Sequence, residues 1–263
     1  MSGLSLYLKF LGVAFRVQLQ YRASFFLSVA SNFLVSFIEL YGVYALFHRF
    51  QRLNQWSLPE VMLFYGMTYM AFALAEAYMR GFDTIDRHIR NGDFDRILLR
   101  PRSVFLQVLG SEFQLLRVGR FLNGLIPFAI GIAWLRPAWG IFGWAFVITA
   151  VCMGSMTYGG VMLVRAMASF FTIESLEVFN IFTHGGVQAS CYPIDIYSGW
   201  FRKLFTYVIP LAAINYWPMS ALLHKNYAPA WAAYGAPLLG LAFFLIGMAC
   251  WRFGVRHYRS TGS

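Results

Sequence analysis

The feature that most constrains this chain is the recurrence of long apolar runs with little or no charge. Trp139 to Val164 has no charged residue in 26 positions, and Pro229 to Trp251 is equally clean. A helix needs about 20 apolar residues to cross a bilayer's hydrocarbon core. Three more runs approach that length. Ala23 to Phe47 is broken only by Glu39, Val61 to Tyr78 carries Glu76 near its end, and Phe121 to Leu135 extends backward past Arg117. With 59% hydrophobic and 12% charged residues, the chain has about half the charge of an ordinary soluble domain. It reads as an all-α polytopic membrane protein.

Between Leu176 and Leu223 the apolar runs are short and interrupted by Pro193, Pro210 and Pro218. Proline removes a backbone donor and breaks a helix interior, and irregular backbone at membrane depth must be buried in protein or face water. The region predicts one span, about Leu176 to Cys191, followed by short re-entrant helices over 192–223 in the outer leaflet. The total is six transmembrane helices. Residues 1–22 predict an amphipathic helix lying in the cytoplasmic interface. With both termini cytoplasmic, 15 lysines and arginines flank the spans inside and 6 lie outside, the bias that orients membrane proteins. Trp134, Trp139, Trp200, Tyr216, Trp217 and Trp231 predict an aromatic belt at the outer face. One domain covers 1–263, with no cleavable signal peptide pattern.

Composition and motif exclude several functions. The net charge of +10 belongs to membrane-flanking positions that attract anionic headgroups, so nucleic acid is not an expected partner. No GxxxxGK[ST] run exists, and none of Lys9, Lys203 and Lys225 follows a glycine, so the chain cannot cradle a nucleotide in a P-loop. There is no GxSxG or HExxH. Ser155 in CMGSMTYGG lacks the following glycine of a serine protease, and small residues there suit close helix packing. Cys152, Cys191 and Cys250 are scattered, with neither metal-ligand nor disulfide spacing. The chain is expected to bind no metal or cofactor and to be no enzyme by itself.

Three ionisable groups lie inside apolar runs. Glu39 marks a pathway, or turns inward to a tyrosine or serine. Glu76 is an interfacial carboxylate or a pathway group. His184, before Gly185 and Gly186, lines a cavity or is a helix-break histidine satisfied by backbone.

Ten charges cluster between Arg80 and Arg102. Phe82, Ile85 and Ile89 recur at helical spacing among Asp83, Asp86, Arg87, His88 and Arg90, which predicts a short amphipathic helix. Asn91 and Gly92 stop it, since glycine takes the left-handed cap geometry. Asp93 is expected to cap a second segment carrying Phe94, Ile97, Leu98 and Leu99, and Pro101 ends it. Charges around apolar anchors suit docking into a groove of another protein.

The run GDFDRILLRP, Gly92 to Pro101, resembles the G-x-F-D-x-x-L-x-R-P loop of a subgroup of type-2 ABC transporter permeases. Tyr192-Pro193 and the I-P-L-A of Ile209 to Ala212 are similar to that subgroup's later motifs, and the six-span plan matches over almost the whole chain. The resemblance implies a permease subunit that pairs as a homodimer or heterodimer in a prokaryotic cell membrane. It further implies two separate ATP-binding cassette subunits, with ATP and Mg on those subunits. The loop 79–103 would hold the coupling helix, with Phe82, Ile85, Asp86, Arg87, Ile89, Asp93, Phe94, Asp95, Arg96 and Arg100 as coupling residues. The hairpin 192–223 would gate the outer exit for an exported amphipathic molecule. An ion-gradient transporter or channel is the competing expectation; it calls for internal repeats, and residues 1–130 and 131–263 show none.

Overall fold

Helix α2, Leu58–Asp83, is the axis of the molecule, buried over nearly its whole length. The computed structural model describes residues 22–112, 116–172, 179–225 and 229–258. The predicted interfacial helix over 1–22 lies almost wholly outside them. Around α2 stand α1 (Arg22–Phe50), α6 (Leu116–Leu135), α7 (Ile141–Ala168) and α11 (Ala230–His257), with α6 and α7 packed directly on it and α11 on α7. Between α2 and α6 come three short helices, α3 (Ile85–Arg90), α4 (Asp93–Leu98) and α5 (Val104–Leu109). Among the described residues four helices are long and apolar enough to cross a membrane, and the shorter apolar stretch Gly119–Leu135 lies in α6. Among the described residues there is no β-strand, only an isolated bridge between Leu53 and Trp56.

The helices begin and end for local reasons. The Ser57 backbone N–H donates to Glu60 Oε2 at 2.7 Å, satisfying a donor at the start of α2, as a capping box does. Gly92, at φ 71°, separates α3 from α4, a geometry that costs other residues. A Cβ on Gly240 of α11 would run into the Met153 carbonyl of α7, so a bare backbone lets these two helices touch. Close packing of this kind drives helix association where the solvent is itself apolar.

The fifth predicted span is described from residue 179. A π-helical turn, Ile181–Gly185, leads into α8, Gly186–Ser190. The hairpin that follows is a series of short pieces: Ile194–Ile196, α9 (Gly199–Lys203) running into a π turn Leu204–Val208, Leu211–Ala213, and α10 (Tyr216–Leu222). Pro193 and Pro210 fall at breaks as expected. Pro218 does not; it sits in the first turn of α10, where a missing N–H removes no helical bond.

The hairpin is fastened to the start of α2. Trp56 has 0% exposure and donates its indole N–H to both oxygens of Asp195 at 3.2 Å. Lys225 Nζ lies 4.1 Å from the Trp56 ring centroid and 2.8 Å from Glu60. Deeper in, Asn215 Nδ2 donates to Thr68 Oγ1 at 2.7 Å, and the Thr68 hydroxyl donates to the Ser190 carbonyl at 2.9 Å. Trp139 Nε1 donates to the Leu222 carbonyl at 3.1 Å. These contacts define a hairpin end; α3 to α5 define a loop end. Tyr216, expected in an aromatic belt, is buried instead against Trp56 and Phe64. Trp134, Trp200 and Trp231 are exposed.

Candidate functional site

Glu39 lies on the inward edge of α1, one turn before buried Val43. Tyr65 and Tyr69, one turn apart on α2, both donate their hydroxyls to Glu39 Oε2, at 2.7 and 2.6 Å. Their rings stack with centroids 4.5 Å apart. From α8, Gln188 Nε2 donates to Glu39 Oε1 at 3.3 Å and to the Tyr69 hydroxyl at 3.2 Å. One carboxylate therefore ties three helices together. Hydrogen bonds to a charged group contribute about 1.5–3 kcal/mol each.

Beside this cluster is a cavity of about 350 Å³, with Glu39, Tyr69, Arg120, Asn123, His184 and Gln188 as its polar wall and Val35, Phe72 and Val187 among its apolar lining. The π turn carries His184 to this wall, and its ring stands edge-on to Phe72 with centroids 5.7 Å apart. Such turns widen a helix by one residue and recur at functional sites. In α6, Pro127 lacks the N–H that would bond the Asn123 carbonyl one turn back, and buried Asn123 Oδ1 has no hydrogen-bond partner among the described residues. The cavity thus holds a carboxylate, a guanidinium, an imidazole and amide acceptors against an apolar wall. It suits a molecule with both polar and apolar parts. Glu39 and His184, both singled out in the sequence, are brought together here.

Glu76 is not at this wall, nor is it a solvated interfacial group. It has 0% exposure and accepts from Arg120 at 2.5 Å and from Arg80 at 3.4 Å. The helix continues well past Glu76, and the side chain points inward toward α6. Arg80 also donates to Asp83 at 2.6 Å, and Asp83 in turn holds Arg165 of α7. Glu112 lies 4.0 Å from Arg80. Three arginines and three carboxylates make a neutral, branched chain that starts at the cavity wall with Arg120 and ends where α2 meets α3. Asp83, expected on a solvated charged face, is buried in it.

The loop end departs from its expected exposure. Phe82, Ile85, Ile89 and Phe94 are all buried within the protein, not offered to a partner. Phe82 packs on Phe105 and edge-on to Trp251, each at 4.9 Å; Phe94 packs on Phe170 at 5.1 Å and Tyr258 at 4.8 Å. An aromatic lock thus holds the end of α2, α4 and α5 against the ends of α7 and α11. Asp93 does not cap α4 through its side chain, because Gly92 occupies the cap position; it pairs with Arg96 at 3.4 Å. Asp95 faces Tyr258, whose hydroxyl is pushed above its ordinary pKa first by burial and then by that carboxylate. The outward surface includes Arg87, Arg90, Arg96, Arg100 and Arg102 with Leu98 and Leu99, and Asp86 is half-buried. Arg96 is 74% exposed and Leu99 85%.

Sequence reasoning missed Arg120, Asn123 and Gln188. Arg120 was counted as a flanking charge, and nothing local to it points to Glu76, 44 positions away. Gln188, a lone amide in an apolar stretch, was the available signal.

Long apolar helices around a polar cavity, with an ion-pair chain leading to a charged surface at one end, define a membrane transport subunit. Residues 33–262 match the family described as ABC-2 family transporter protein. The chain belongs to that family, as the membrane-embedded permease subunit of an ABC transporter, and proteins of this kind work with ATP-binding cassette subunits. No curated protein and no solved structure matches it.

Proposed function

We propose that this chain is the moving membrane subunit of an ATP-driven exporter with six spans. Two ATP-binding cassette subunits holding ATP and Mg dock at α3 and α4 on the cytoplasmic side, and both termini face the same side. The outward charges Arg87, Arg96 and Arg100, with exposed Leu99, meet the ATPase, while the buried anchors Phe82, Ile85, Ile89 and Phe94 keep the docking helices attached to the spans. The sequence similarity of Gly92 to Pro101 to the G-x-F-D-x-x-L-x-R-P loop supports this placement.

The observation that carries the reading is the unbroken chain Arg120–Glu76–Arg80–Asp83–Arg165. It joins the cavity to the start of the docking helices through buried ion pairs, which cannot shift singly without stranding a charge. Movement of α3 is therefore felt by Arg120 at the cavity wall. The substrate is amphipathic, and it passes by Glu39 and His184 toward a gate formed by the hairpin 192–223. A second permease completes the path. Glu39, His184 and Gln188 open sideways near the middle of the spans, where polar groups are expensive in contact with lipid, and a partner permease covers them.

The test is co-purification with, and stimulation of, a co-expressed ATP-binding cassette protein. The Arg87→Ala/Arg96→Ala variant inserts normally but loses ATPase stimulation by about tenfold or more, as when close interfacial charges are removed. Undiminished stimulation overturns the docking assignment. Transport that follows a proton gradient with no ATPase present would favour an ion-gradient mechanism using Glu39 and His184.

A further inference from the structure

A second cavity, of about 490 Å³, lies at the hairpin end, between the hairpin and the start of α11. Its wall includes Arg202, Lys203, Thr206, Tyr207, Trp217 and Trp231. Neither cation has a carboxylate within ion-pair distance among the described residues, although the carboxylates of this end are both engaged: Glu60 with Lys225 and Asp195 with Trp56. Thr206, in the π turn after α9, also lines the cavity; its hydroxyl oxygen is buried and has no hydrogen-bond partner among the described residues. Tyr207 and Trp231 are 79% and 80% exposed. Such rings settle where hydrocarbon meets headgroup.

We propose that this cavity binds the anionic phosphate headgroup of an amphiphile in the adjoining leaflet. Adjacent Arg202 and Lys203 supply two charges. The planar guanidinium suits a phosphate's paired oxygens, and the ammonium adds a point charge. The aromatic rim flanks the glycerol or sugar next to the phosphate and leaves the acyl chains in the bilayer. A purely anchoring role for the two cations would need only headgroups at the surface; a cavity that both cations and an aromatic rim line together is more than anchoring requires. The site does not depend on an ATPase.

Native mass spectrometry of the full-length chain in detergent tests this with phosphatidylglycerol, and with zwitterionic phosphatidylcholine as the comparison. The wild type retains phosphatidylglycerol preferentially. Arg202→Ala/Lys203→Ala weakens that retention by about 30-fold, the equivalent of ~1 kcal/mol for each cation. Arg202→Lys/Lys203→Arg keeps most of it. Arg52→Ala, which removes a cation of the same end from outside the cavity, leaves it unchanged. Displacement by inorganic phosphate at about 10 mM, a concentration matched to millimolar affinity, would assign the ligand to a soluble phosphoryl group; resistance assigns it to lipid. Equal retention by wild type and the double alanine variant, or an equal loss in Arg52→Ala, overturns the proposal.

Discussion

Glu39 and Glu76 are both carboxylates set among apolar residues, yet they are held by opposite means. Glu39 accepts from two neutral hydroxyls and an amide, whereas Glu76 accepts from two guanidinium groups. Glu76→Gln leaves Arg80 and Arg120 short of a counter-charge. It should destabilise the protein by about 3–5 kcal/mol, read as a lowered unfolding midpoint in detergent. Glu39→Gln keeps an acceptor for Tyr65 and Tyr69, so the fold should survive while transport falls. Glu39→Leu should cost about 1–3 kcal/mol for each tyrosine hydroxyl left buried and unpaired, and comparing unfolding midpoints of the two variants checks this. The sequence allowed for a tyrosine partner to Glu39, because an uncompensated carboxylate in a span demands one. It did not show Arg120 reaching Glu76, since ion pairs across helices leave no trace in local spacing.

The proposed docking segment takes its shape from where α3 and α4 turn. Gly92→Val places a β-branched residue in the left-handed region at a cost of about 1–2 kcal/mol. The expected outcome is normal membrane insertion with reduced ATPase stimulation. Phe94→Ala empties a buried site between Phe170 and Tyr258, a loss of about 3–5 kcal/mol. Limited proteolysis should then cut first within 84–103. The spacing of Ile85 and Ile89 and the stop at Gly92 were legible in the sequence, whereas Phe82, expected in the same short helix, falls in the last turn of α2, before the break at Thr84. What that apolar stripe faces was not. Periodicity identifies a common side of a helix, and only the packing of Trp251, Phe170 and Tyr258 decides whether that side turns to a partner or to the chain itself. Similarly, the breaks at Pro193 and Pro210 were legible, while the first-turn position of Pro218 depended on the start of α10.

For the whole molecule, α1 is the most exposed of the long helices, with Phe37, Ile38 and Tyr41 on its outer face and Ile181 exposed beside the lateral opening of the cavity. If a second permease covers this side, single cysteines at Ile38 or Ile181, in a background lacking the three native cysteines, should form disulfide-linked dimers on mild oxidation. Absence of crosslinking at both positions would place the partner elsewhere. The two ends of the molecule also differ in what holds them. The loop end is held together by stacked rings and enclosed, mutually neutral ions, which dissolved electrolyte barely reaches. The outward arginines proposed to meet an ATPase stand in open water, where dissolved salt shields them within about 8–10 Å. Raising ionic strength should therefore detach the motor while leaving the drive shaft intact.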